Sequence, residues 1–123
     1  MYRVKTEDKK YILVFENIVS KDSVLFQIYE PNSGKPTKKL VFQLWYDDVY
    51  DLMHMMLMSK TPLADTDIQT LRVTENLKLR VSESILEILD SEKVYSLKFS
   101  AGKFEYIIEA LKSITLGALN GSN

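Results

Sequence analysis

Two stretches of this chain carry the same pattern of a strand running into a helix, and that repetition constrains the fold more than any other feature. Lys39 to Met58 reads KLVFQLWYDDVYDLMHMMLM, and VYSLKFSAGKFEYIIEALKS follows it without a gap when Leu44 is set against Phe99. Leu40, Phe42 and Leu44 then match Tyr95, Leu97 and Phe99 at the spacing of one face of a strand. Val49, Leu52, Met53 and Met56 match Phe104, Ile107, Ile108 and Leu111 at the spacing of one face of a helix. Agreement in kind at both periods indicates a duplicated unit. Half of a 123-residue chain would bury only roughly 60% of its unfolded surface and be marginal alone. The two copies are therefore expected to pack on each other.

The residues before each strand and helix extend the unit. Tyr2 to Lys5 alternates apolar and basic residues, Lys10 to Phe15 is predicted as a second strand, Ser23 to Glu30 as a third and Leu40 to Trp45 as a fourth. Pro31 to Lys39, PNSGKPTKK, is turn chemistry with a positive tip. Asp47 and Asp48 open a helix, where carboxylates suit the positive end of its dipole, and Pro62 predicts its end near Lys60. In the second copy LRVTEN at Leu71 to Asn76 echoes YRVKTED at Tyr2 to Asp8 across a one-residue gap. Strands are predicted at Leu77 to Val81, Ile85 to Leu89 and Val94 to Phe99, and a helix from Ala101 to Leu116.

The expected fold is α+β, with two tandem ββββα units packed as a pseudo-dimer, each an antiparallel sheet with one C-terminal helix. The connections are too short for parallel crossovers. The first unit spans 1–60, a connector 61–69 and the second unit 70–118, with a frayed tail over 119–123.

The pleat then assigns faces. With Phe42 and Leu44 under the first helix, Gln43 and Trp45 point the other way, joined by Gln27 and Tyr29. Arg3, Lys5, Arg72, Lys78, Arg80 and Lys98 fall on the same helix-free side, while Asp47, Asp48, Asp51, Glu105 and Glu109 fall on helices. A chain of formal net charge −1 can thus carry positive sheet faces. Positive charge that tracks a phosphate backbone, beside rings on which unstacked bases lie, is what single-strand binding requires. Lysine and arginine on an open sheet face also serve solubility, so the pattern by itself admits a purely solvating role.

Over Ser23 to Met56 the sequence VLFQIYEPNSGKPTKKLVFQLWYDDVYDLM resembles the positive-cofactor family of transcription coactivators and the related Whirly proteins, whose unit is four antiparallel strands and a helix. Two units bind single-stranded DNA, as separate chains in the coactivators and within one chain in Whirly proteins. The resemblance implies phosphate contacts from Lys35, Lys38 and Lys39 at the turn, together with Arg3, Lys5, Arg72, Lys78, Arg80 and Lys98. It implies base contacts at Tyr29 and Trp45, with Gln27 and Gln43 beside them. Bacterial viruses encode small single-strand binders of this type. The implied role is a phage replication or recombination protein of low sequence preference, acting in the host cytoplasm beside other replication or recombination proteins.

Enzymatic signatures are missing. With one histidine and no cysteine, the usual zinc ligand set and thiolate chemistry are excluded, and no Gly-rich phosphate loop or nucleophile elbow occurs. No enzyme activity, cofactor or metal is expected. No apolar run long enough to span a membrane occurs, and the MYRVKTEDKK start does not read as a signal peptide. One surface remains. Tyr50, His54 and Leu57 stand where the second helix has Glu105, Glu109 and Lys112, so the first helix is apolar on its outer side too. That side is expected at the seam between the units or against a second copy. Alternatively, it serves an adaptor or inhibitor that binds another protein.

Overall fold

The computed structural model describes residues 1–59 and 69–119. The expected connector over 60–68 and the tail at 120–123 lie outside the described residues. Eight strands and two α-helices, with one 3-10 turn over Val19–Lys21 between the second and third strands, follow in the order β1 (Tyr2–Lys5), β2 (Ile12–Ile18), β3 (Ser23–Glu30), β4 (Thr37–Trp45), α1 (Tyr46–Met58), β5 (Gln69–Arg72), β6 (Leu77–Ser82), β7 (Ile85–Asp90), β8 (Lys93–Lys98) and α2 (Ala101–Leu119). They form two four-stranded sheets, β1-β2-β3-β4 and β5-β6-β7-β8, and every ladder is antiparallel. The chain is α+β, with a four-stranded sheet and a helix occurring twice.

Short polar turns set the strand ends and account for most shifts from the sequence-based bounds. The second strand starts at Ile12 rather than Lys10, because Thr6 to Tyr11 closes on itself. The Thr6 N–H bonds the Tyr11 carbonyl at 3.0 Å, and the buried Thr6 hydroxyl donates to Asp8 Oδ1 at 2.7 Å while accepting the Tyr11 N–H. The fourth strand begins at Thr37, so lysines expected in the turn belong to a strand. The fifth strand ends at Arg72, where the Val73 and Thr74 N–H groups turn back to the Leu77 carbonyl. The second helix runs three residues past the expected Leu116, to Leu119. The Ser100 hydroxyl caps it, accepting the Lys103 N–H at 3.2 Å.

Ladder register tests the internal repeat. Leu40 pairs with Ile28 and Tyr95 with Ile88, and Val49, Leu52 and Met56 are buried as are Phe104, Ile107 and Leu111, so the constant offset holds through the last strand and helix of each copy. At the N-terminal strands the echo shifts. Leu71, through Leu79 and Ile88, stands where Val4 stands through Leu13 and Ile28, which makes Arg72 the counterpart of Lys5 rather than of Arg3.

Both sheets turn one face to a common core that includes residues of both helices. In the first sheet the paired residues Tyr2, Phe15, Phe26 and Phe42 form a continuous row of stacked rings, with centroids 5.0, 5.6 and 5.1 Å apart. The corresponding row of the second sheet has no aromatic ring, running Gln69, Val81, Leu86 and Leu97. From α1, Val49, Leu52 and Met56 are buried as the apolar spacing predicts. Met55 is buried as well, and Met53 only partly.

Each helix reaches the other unit. The α2 residue Tyr106 packs edge-on against Tyr2 at 6.1 Å, and the Lys103 ammonium donates to the Lys5 carbonyl at 2.9 Å. The Tyr50 hydroxyl on α1 donates to the Thr115 carbonyl at 3.4 Å. Neither helix, among the described residues, is long and apolar enough to cross a membrane.

Candidate nucleic-acid interface

The strand ladders assemble the helix-free faces row by row. Across the first sheet, Lys5, Ile12, Tyr29 and Lys38 form one row, and Arg3, Val14, Gln27 and Val41 the next. Glu16, Leu25 and Gln43 follow, then Ile18, Ser23 and Trp45. Across the second sheet the rows are Arg72, Lys78, Leu89 and Val94; Thr70, Arg80, Glu87 and Ser96; and Ser82, Ile85 and Lys98. Arg3, Lys5, Gln27, Tyr29, Lys38, Gln43, Trp45, Arg72, Lys78, Arg80 and Lys98 therefore all lie on the helix-free faces, where alternation places them. The acidic residues there are Glu16 and Glu87.

The two faces differ at their centres. Two of the outward positions on β2, Ile12 and Val14, are each only 4% exposed and absent from the common core. In register, Ile12 is flanked by Lys5 and Tyr29, and Val14 by Arg3 and Gln27. Their counterparts on β6 are Lys78 and Arg80. The first face thus has an apolar and aromatic centre with a basic border, and the second has basic residues at its centre. Sequence alternation does find Ile12 and Val14 once the strand is started correctly, and Val41 lies at the two-residue spacing that selects Gln43 and Trp45.

Several of these side chains are held before any ligand arrives. The Tyr29 hydroxyl donates to Gln27 Oε1, and the Lys38 ammonium lies 5.9 Å from the Tyr29 ring centroid, a cation-π distance. The Gln43 amide donates to the buried Ser23 hydroxyl. With small Ser23 as its row neighbour on an edge strand, the Trp45 ring is left 61% exposed. Arg80 pairs with Glu87 at 4.0 Å, which offsets part of its charge.

Two lysines expected to join this face do not occupy its rows. A register shift between Ile28 and Tyr29 leaves Lys39 in a bulge, 3.9 Å from Glu30. Lys35 is exposed at the tip of the hairpin beyond the strands, beside a turn in which Asn32 Oδ1 accepts the Gly34 N–H.

The helix surface marked by Tyr50, His54 and Leu57 is divided by the fold. Tyr50 turns into the seam between the helices, whereas His54 is exposed and Leu57 is 44% exposed. Asp47 and Asp48 occupy the first turn of α1 as expected. Partial burial raises the Asp48 carboxyl above its ordinary range, with repulsion from Asp51 and Asp47 adding to it. A raised acid pKa means that ionised Asp48 weakens the fold, so its relative contribution is best at low pH and declines as pH rises through the folded-state value. Asp48→Asn should therefore melt above the parent at pH 7, with the difference closing below the carboxylate range. Melting curves at both pH values check this. Among the described residues, no group of three carboxylates or imidazoles is placed to hold a metal ion.

Away from both faces, a cavity of about 300 Å³ is lined by Ser59, Glu83, Ser84, Ala101 and Phe104. Of these only Glu83 ionises.

Comparison of the chain with protein-family models, curated proteins and solved structures finds no match.

Proposed function

We propose that this chain binds single-stranded DNA with low sequence preference through the helix-free faces of its two sheets. The observation that carries the reading is the sorting of charge. Arg3, Lys5, Lys38, Arg72, Lys78, Arg80 and Lys98 share those faces with only Glu16 and Glu87 opposing them, in a chain of net charge −1. Tyr29 and the exposed Trp45 add rings beside the cations. Duplex DNA hides its base faces, so aromatic contacts favour single strands, and contacts to phosphate and to ring faces carry little sequence information.

The occurrence, twice in one chain, of four antiparallel strands followed by a helix supports the likeness to the positive-cofactor and Whirly type. On that reading the protein is a non-enzymatic replication or recombination factor of a bacterial virus, working in the host cytoplasm with other proteins of that process. The competing adaptor or inhibitor reading needs the trio on α1, and it is weakened by the engagement of Tyr50 in the seam.

The single tryptophan makes the test direct. Oligo-dT should quench Trp45 fluorescence and be retarded by the protein at low salt, more weakly at moderate salt, and a random duplex should bind less well. Each stacked base is worth about 1 to 3 kcal/mol, so Trp45→Ala should weaken oligo-dT binding by that amount if the ring carries one base. No quenching and no retardation of oligo-dT at low salt would refute the proposal.

A further inference from the structure

Strand β4 has one side unpaired. The Tyr46 N–H bonds the Asp22 carbonyl at 3.0 Å, so by alternation Leu44 and Phe42 face β3. Val41, Gln43 and Trp45 turn their peptide groups to the open edge, and no described residue bonds to them there. The second unit treats the matching place differently. The Lys98 carbonyl, counterpart of Gln43, accepts the Glu7 N–H from the first unit at 2.8 Å.

The open edge is unevenly protected. At its start the bulge and the lysines 38 and 39 discourage strand pairing, as edge strands commonly do. From Val41 to Trp45, VFQLW, it carries no charge, bulge or proline, and Val41 and Trp45 are 46% and 61% exposed.

We infer that two copies of this chain associate through an antiparallel β4–β4 pairing centred on Gln43, which joins their first sheets into one eight-stranded sheet. The segment is self-complementary in that register. Each Trp45 meets the partner's Val41, covering two exposed apolar residues, and the two Gln43 amides meet at the axis, where each can donate to the other. Antiparallel pairing carries the Lys38 and Lys39 end of each β4 past the partner's Trp45, toward the start of the partner's α1, whose first turn holds Asp47 and Asp48. Among the described residues neither aspartate has an ion-pair partner within its own chain. A shift of the centre toward the N-terminus would carry these lysines away from the aspartates and closer to the lysines of the other copy, so charge favours the Gln43-centred register. The interface is short, so the association is weak and depends on concentration. It does not rest on nucleic-acid binding.

Light scattering or sedimentation without nucleic acid tests this, over about 1 µM to about 1 mM, the span in which weak interfaces fill. The parent should move from its 14.2 kDa monomer toward twice that mass. Gln43→Lys and Gln43→Glu should each stay monomeric, because like charges meet at the axis, and an equimolar mixture should recover the dimer. Since the chain has no cysteine, Gln43→Cys should form a disulfide-linked dimer on mild oxidation. A parent that stays monomeric throughout would overturn the inference. So would a dimer that survives Gln43→Lys without cross-linking through Gln43→Cys, which would place the contact elsewhere, such as the Leu57 side of α1. If a charged variant loses its circular dichroism signature, the cross-linking result decides alone.

Discussion

Phe26→Ala is expected to destabilise the protein by about 3 to 5 kcal/mol, the range for emptying a large aromatic from a packed core. Phe26 is 1% exposed, and its ring lies between those of Phe15 and Phe42 at 5.6 and 5.1 Å. Removing it costs its own transfer free energy and breaks the row, taking a stacking partner from both neighbours and leaving Phe15 only Tyr2. A domain of this size is stable by only about 5 to 15 kcal/mol, so the melting temperature should fall by roughly 10 to 20 °C. Both units share one core, and the loss should therefore reach the whole molecule. Trp45 fluorescence, which reports the first unit, and far-ultraviolet circular dichroism, which reports both, should give one coincident transition. Fluorescence changing well ahead of circular dichroism would mean that the halves unfold separately, against a common core.

The second large effect concerns charge. Replacing Arg72, Lys78 and Arg80 together with glutamine is expected to reduce the salt-dependence slope of oligo-dT binding by about 2, at about 0.7 for each engaged phosphate. At about 50 mM salt that corresponds to roughly two to three orders of magnitude in affinity. The arrangement makes a sharp control available. Lys9, Lys10 and Lys112 are exposed residues in a turn and on α2, away from the sheet rows, and changing them to glutamine alters net charge by the same amount. If the control triple loses as much slope as the sheet triple, binding follows net charge alone and the sheet faces are not the site. Because Arg80 is paired with Glu87, its share should be the smallest of the three, and Glu87→Gln should strengthen binding.

The third strand, Ser23 to Glu30, has the bounds its alternation predicts, because Val24, Phe26 and Ile28 leave no other phase. The second strand starts two residues later than its alternation predicts, since Lys10 and Tyr11 belong to a turn closed by Thr6. That side-chain bond is invisible to hydrophobic spacing. The echo of YRV in LRV sets Leu71 against Tyr2, two positions from the Val4 that the ladders match to it, because only strand pairing decides which arginine or lysine shares a row. On α1 helical spacing picks out the buried Val49, Leu52 and Met56, but not the separate environments of Tyr50, His54 and Leu57.

Residue order alone sets the local periods: which residues alternate across each strand, which line one side of each helix, and that the pattern occurs twice. These follow from backbone geometry within a few residues. The tertiary structure decided the rest. It placed Ile12 and Val14 at the centre of one outer face where the other has Lys78 and Arg80, bound Arg80 to Glu87, drew Tyr50 into the seam and left the Val41 to Trp45 edge open. Each of these depends on which distant strand or helix lies alongside, a pairing set by burial of one shared core rather than by any residue's near neighbours.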